Sequence, residues 1–314
     1  MAKILINDGI HPTGQKMLEE AGYEVDCNKI AQDDLMARLP EYDAICVRSA
    51  TKVREALITA CPNLKVIGRG GVGLDNIDVD FAKSKGVAVI NTPAASSRSV
   101  AELAFAHMLS VARFVYKSNR HMPKDGNTEF KALKKSYSKG FELSGKTLGV
   151  IGLGRIGQEA IKIALGMGMK VLGVDPYASD VSVDMQLGDT KVSVPVTKVT
   201  MDEMLAQADI ITLHIPFTGV PVLSTSEFAK MKEGVVLVNA SRGGTVDEAA
   251  LLAALESDKV RAAGLDVFEN EPTPRQELLQ HPNVSCTPHI GASTAEAQEN
   301  IGIELAEKLI SQLS

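Results

Sequence analysis

Three polar residues stand out because each follows an apolar run and carries a group that can move a proton or hold an anion. They are His289 in TPHIGAST, Glu271 in LDVFENEP and Arg242 in NASRGG. Imidazole titrates near neutrality, so it can take a proton and return it. A carboxylate within reach can orient the ring, and a guanidinium presents a planar fork of donors to a carboxylate or a polarised oxygen. Singly, each also has a plain structural account as a core histidine, a loop acid or a surface cation. The other five histidines (His11, His107, His121, His214 and His281) read as structural or surface residues, with His214 also a candidate for lining a ligand cleft.

Convergence of the three depends on the elements before them. Short apolar runs alternate with helical segments, which predicts crossover units and parallel sheets. KILIN, YEVDC, DAICV, LKVIG and VAVIN form a first series, and TLGVI, KVLGVD, DIITLH, VVLVN, AAGLDV and NVSCT a second. The fold class is therefore α/β with two doubly wound units, and Arg242, Glu271 and His289 follow strands of the second. In open sheets of this kind, ligands sit outside the carboxyl ends of the strands. Residues 96–116 read as one long helix, with Ser99 as N-cap and Glu102 at the capping-box position. The polar stretch after it reads as loop, residues 176–200 as a hairpin or surface loop, and residues 293–313 as a final helix.

GVIGLGRIG contains Gly152-x-Gly154-x-x-Gly157 between an apolar strand and a helix with an apolar stripe at Ile156, Ala160, Ile163, Ala164 and Met167. In that setting the glycines permit a tight turn, backbone approach to a pyrophosphate and close helix packing. A second strand ends in Asp175, placed to bind the two hydroxyls of a ribose. A carboxylate there disfavours a 2′-phosphate, and Pro176-Tyr177 supplies no arginine for one, so the sequence favours NAD over NADP. After the first-series strands stand Arg48-Ser49 and Arg69, with Gly70, Gly71 and Gly73 able to present N–H groups to a carboxylate. Lys134, Lys135 and Arg98 are further cations.

A net charge of −6 over 314 residues gives no sign of a nucleic-acid or anionic-membrane partner. No run reaches the roughly 18–20 apolar residues that span a bilayer. Four scattered cysteines without a C-x-x-C pair suggest reduced thiols in the cytoplasm, and no metal-ligand cluster is evident.

LGVIGLGRIG, NASRGGTVDE, GLDVFENEP and PHIGAST resemble, in order, the successive signatures of the D-isomer-specific 2-hydroxyacid dehydrogenases. VRSATKV, GRGGVGLDNID and NTPAASSRSVAE resemble the D-3-phosphoglycerate dehydrogenase branch of that family. The resemblance implies NAD-dependent oxidation of D-3-phosphoglycerate, with His289 as acid/base, Glu271 as its partner and Arg242 on the substrate carboxylate. It implies cofactor contacts from Gly152, Gly154, Arg155, Ile156, Gly157, Asp175, His214, Pro216, Thr218, Ala240, Arg242, Asp266, His289, Gly291 and Ala292. It implies substrate contacts from Arg48, Ser49, Arg69, Gly71, Val72, Arg242 and His289. The implied architecture is a Rossmann nucleotide domain (98–288) inserted in a flavodoxin-like substrate domain (1–97 plus 289–314), in a homodimer with a contact through the long helix. Many members of that branch carry a C-terminal serine-binding regulatory domain. This sequence ends 25 residues after His289, which suggests a short form without one. Two alternatives stay open: a glyoxylate, hydroxypyruvate or D-lactate enzyme of the same family, and a non-enzymatic NAD-sensing protein.

Overall fold

The first five apolar runs become β1 (Lys3–Ile6), β2 (Glu24–Asp26), β3 (Ala44–Val47), β4 (Val66–Arg69) and β5 (Ala88–Asn91) in the computed structural model, which describes residues 2–314. They form one parallel sheet in the order β2-β1-β3-β4-β5, the flavodoxin-like arrangement. Because strand side chains alternate, Ile4 and Ile6 pack on one face with Leu305 and Leu309 of the helix Ala295–Leu313. Leu5 joins Ile45 and Ile67 in the core on the other face. Burial of both faces explains why β3 is apolar at every position. This unit comprises Met1–Ser99 with Ala292–Ser314.

The second unit, Val100–Gly291, is built on β6 (Thr147–Ile151), β7 (Lys170–Val174), β10 (Ile210–Leu213), β11 (Val235–Asn239), β12 (Val260–Leu265) and β13 (Val284–Cys286). These strands are parallel in the order β13-β12-β11-β10-β6-β7. Each face carries its own apolar core, one around Leu213, Leu237 and Leu265 and the other around Val150, Ile210 and Val236. His289 and Gly291 belong to this unit, since the division falls a few residues beyond the expected one.

One feature of the register matters most for the site. Cys286, Leu265, Asn239, Leu213, Ile151 and Val174 pair in succession across the sheet. The residues just after them, among them Thr287, Asp266, Ala240, His214, Gly152 and Asp175, therefore emerge along one edge.

Three sequence expectations need correction. Residues 96–116 are not one helix: Ser97–Ala112 ends, Phe114 takes a left-handed φ of 55°, and a new helix runs Val115–Asp125. The expected loop after it is also largely helical, through Asp125 and again over Phe130–Ser136. Ser99 lies inside the first helix, so it caps nothing; its hydroxyl meets Thr294 Oγ1 at 2.9 Å. Residues 176–200, open between loop and hairpin, hold the antiparallel pair β8 (Ser182–Leu187) and β9 (Thr190–Pro195). Beyond that hairpin, Gly173 and Lys198 make a single parallel bridge at the β7 edge. Among the described residues, no helix is long and apolar enough to cross a membrane, and no group of His, Cys, Asp and Glu is arranged to hold a metal ion.

Candidate active site

The turn after β6 is shaped by close approach. Gly152 has φ 94°, and a Cβ there would come within 2.5 Å of the His214 carbonyl oxygen. A Cβ at Gly157 would overlap the Gly152 carbonyl, whereas a Cβ at Gly154 would meet nothing within 4 Å. The helix Arg155–Gly166 starts directly at Gly154, and no side chain caps it. Its first N–H groups are uncapped by any side chain at the positive end of the macrodipole, with exposed Arg155 beside them. These residues fit a dinucleotide pyrophosphate.

Asp175, after β7, is held by three backbone donors. Leu153 N–H donates to Oδ2 at 2.8 Å, and Tyr177 and Ala178 N–H donate to Oδ1 at 2.9 and 3.1 Å. Burial alone would raise this carboxyl, but the three N–H groups and Lys198 outweigh it and hold it below the usual range. The carboxylate keeps spare acceptor capacity for hydroxyls and repels a further anion. His214, after β10, retains some surface exposure as a residue, yet its Nδ1 is enclosed. Burial pushes the imidazole down to about 4. Its Nε2 meets Thr212 Oγ1 at 3.2 Å, while buried Nδ1 has no protein hydrogen-bond partner. Pro216 and Thr218 follow on an exposed loop, and Ala240 is buried.

After β11, buried Asn239 organises the Arg242 turn. Its Nδ2 donates to Arg242 O (3.1 Å) and Thr245 Oγ1 (3.0 Å), and its Oδ1 accepts from Ser241 N–H (3.0 Å) and Ser241 Oγ (2.8 Å). Arg242 Nη1 donates to Ser241 O at 2.6 Å, which fixes the start of the guanidinium fork.

His289 and Glu271 come together as a pair. His289 Nδ1 lies 2.7 Å from Glu271 Oε2, and Phe268 N–H donates to Glu271 Oε1 at 3.0 Å. Burial would raise the Glu271 carboxyl, but the His289 hydrogen bond, the Phe268 N–H and the His289 and Arg242 charges together hold it below its ordinary value. His289 takes φ 54°, rare for a residue with a Cβ, and stays about half exposed (49%). With Nδ1 engaged, Nε2 is left to face a reactant. A cavity of about 420 Å³ borders the pair and is lined with Phe268, Pro272, Pro274 and Leu279.

The first unit presents its own candidates at the ends of β3 and β4, which are in register at Val47 and Arg69. Asp8 accepts from Arg48 N–H (2.7 Å), Thr51 N–H (3.0 Å) and Thr51 Oγ (2.8 Å), and Asn76 Nδ2 donates to Arg48 O (2.8 Å). The loop is pinned through its backbone, and the Arg48 side chain starts beside Gly70. Ser49 is exposed. The Arg69 guanidinium lies against Gly71, where the φ of 139° favours glycine. Gly71 N–H is already taken: it donates to Thr92 Oγ1 at 2.8 Å. Gly71 is thus not a ready N–H donor to a carboxylate in this conformation, and Val72 is the neighbouring half-buried residue. Ala292 also falls in this unit, its carbonyl accepting Gln298 Nε2. Lys134, Lys135 and Arg98 are exposed on their helices.

The model of the D-isomer specific 2-hydroxyacid dehydrogenase NAD binding domain matches residues 105–291. The chain belongs to the D-isomer-specific 2-hydroxyacid dehydrogenase family. It is an oxidoreductase of that family, and its second unit is the family's Rossmann-type NAD-binding domain. A hydroxypyruvate reductase of Thermotoga maritima is 46% identical over 99% of this chain and 98% of its own length. A D-3-phosphoglycerate dehydrogenase of Archaeoglobus fulgidus is 43% identical over 98% of this chain, which spans 56% of that relative. The solved D-mandelate dehydrogenase of Rhodotorula graminis superposes with a TM-score of 0.87 at 26% identity, covering 98% of this chain and 93% of that one. The dehydrogenase fold expected from the sequence is therefore present. Asn239, Asp8, Asn76 and the Phe268 N–H were not among the expected site groups, because each acts on a neighbour's backbone or carboxylate and has no motif of its own.

Proposed function

We propose that this dehydrogenase interconverts D-3-phosphoglycerate and 3-phosphohydroxypyruvate with NAD, the first step of phosphorylated serine synthesis. In the oxidation, His289 Nε2 takes the proton of the 2-hydroxyl, and in reduction it returns that proton. Glu271 keeps the ring oriented through Nδ1 and offsets the charge that the imidazole gains. Arg242 receives the substrate carboxylate and polarises the 2-oxo oxygen. Gly152, Gly154 and Gly157 with the helix start at Arg155 would hold the NAD pyrophosphate, and Asp175 the ribose hydroxyls. Bound NAD supplies the hydride acceptor for carbon 2.

The observation that carries the substrate reading is the pair of arginines, Arg48 and Arg69, around one glycine loop of the first unit. Two guanidinium groups around one loop exceed what an uncharged substituent needs and suit a phosphate. A second reading, hydroxypyruvate reduction, is favoured by the Thermotoga relative, which matches along nearly its whole length.

NADH oxidation by the purified protein, followed with 3-phosphohydroxypyruvate, hydroxypyruvate, glyoxylate and pyruvate in parallel, separates these readings. The highest kcat/KM with 3-phosphohydroxypyruvate is the expected result. Preference for hydroxypyruvate would keep the chemistry and replace the substrate. NADH binding without turnover of any of the four would leave an NAD-sensing role.

A further inference from the structure

Behind the His289 loop lies a row of polar side chains, buried except at Thr287, that the chemistry above does not use. His107, on the helix Ser97–Ala112, is 3% exposed. Its Nδ1 is 3.0 Å from Ser285 Oγ, and its Nε2 is 2.9 Å from Thr287 Oγ1. Thr287 Oγ1 in turn donates to Asp266 Oδ1 across 2.6 Å. Asp266, 1% exposed, also accepts the N–H groups of Ile290 and Gly291, each at 2.8 Å. One carboxylate thus grips the loop on both sides of the turn that displays His289.

The proton directions follow by counting. Thr287 has a single hydroxyl proton, and it goes to Asp266. Its oxygen can then only accept from His107, so Nε2 carries the ring proton. Burial lowers His107 below the usual imidazole range, against a weaker opposing pull from Asp266. A neutral ring protonated at Nε2 leaves Nδ1 bare for the Ser285 hydroxyl. The chain therefore runs one way, from Ser285 to His107 to Thr287 to Asp266, an alignment in which each bond polarises the next. Packing on β12 is tailored to this ring: a Cβ at Gly264 would come within 2.5 Å of the His107 Cβ and 2.9 Å of its Cγ.

We propose that His107 is a positioning residue for His289, acting through Thr287 and Asp266 to hold the 287–291 loop in its reactive turn. This rests on the family's 2-oxo-acid reduction and is indifferent to which acid is the substrate.

The test is a double-variant cycle on the full chain, assayed with NADH and whichever 2-oxo acid the wild type reduces best. His107→Leu and Thr287→Val should each lower kcat on the order of tenfold with little change in KM for NADH, and the double variant should be no worse than either alone. His107→Gln, whose amide can still donate to Thr287, should regain most of the loss. Nitrogen-15 NMR supplies a readout independent of turnover: the His107 ring should be the Nε2–H tautomer, and Thr287→Val should shift its Nε2 resonance. Additive losses in the cycle, or an Nδ1–H tautomer, would overturn the proposal. If His107→Leu does not fold, His107→Gln, Thr287→Val and the tautomer decide it.

Discussion

Glu271 grips His289 from behind: its Oε2 sits 2.7 Å from the ring Nδ1, while its other oxygen is held by the Phe268 N–H. A carboxylate fixed at both oxygens has one orientation to offer, so the ring inherits it. If His289 carries the proton and Glu271 acts through it, the two are one unit. His289→Asn should lower kcat by about 10³-fold while NADH affinity stays within a few-fold, and Glu271→Gln by about 10²-fold. In the His289→Asn background, Glu271→Gln should cost almost nothing more. Steady-state kinetics with a fluorescence titration of NADH measures all of this. Wild-type-like turnover of His289→Asn would remove it from the mechanism.

Asp175 is held as an anion by three backbone N–H groups at the end of β7. A 2′-phosphate placed there would meet that negative charge. Asp175→Ala should therefore lower the ratio of kcat/KM for NAD over NADP at least about tenfold, a coupling of ordinary size for a desolvated charge pair. An unchanged ratio would mean that another residue reads the ribose.

Arg48 is pinned through its backbone by Asp8 and Asn76, which leaves its side chain as the variable part. In Arg48→Ala, KM for 3-phosphohydroxypyruvate should rise about tenfold or more, against a two- to three-fold rise for hydroxypyruvate, since a charge-assisted hydrogen bond contributes about 1.5–3 kcal/mol. Equal rises would assign Arg48 to the group that the two substrates share.

The strands of both sheets were legible because buried parallel strands must be apolar throughout, and the glycine turn because its three residues do separate steric jobs. That Gly152, His214 and Asp175 line one edge then follows from register, which apolar pattern and spacing already constrain. The break at Phe114 was not legible, since its left-handed backbone interrupts an apolar pattern that continues through it. Nor were the helices over 121–136, whose lysine-rich stretch lacks a buried stripe. His107 illustrates the deeper limit. Its partners stand 178 and 180 residues away, so a histidine on an apolar helix face reads as core until tertiary structure supplies Ser285 and Thr287.

His214 gives a pH signature with a defined sign. Its folded value of about 4 lies below the ordinary 6.5 because the ring is buried, so between those values the unfolded chain binds more protons than the fold. The resulting contribution is fully present above about pH 6.5 and is lost as pH falls toward 4. The lowered carboxyls of Asp175 and Glu271 act below the ordinary carboxylate range, whereas burial raises Glu248, which slopes the opposite way just above that range in wild type and variant alike. His107 and His281 are also lowered, each with burial as the main cause, and they slope the same way as His214. Subtraction isolates His214: between pH 7 and 5, wild type should lose about 2 kcal/mol more than His214→Asn in urea unfolding. Equal losses would show that the ring takes up its proton in the fold as readily as in the unfolded chain. The enclosure that leaves Nδ1 unpartnered would then be looser than the packing indicates.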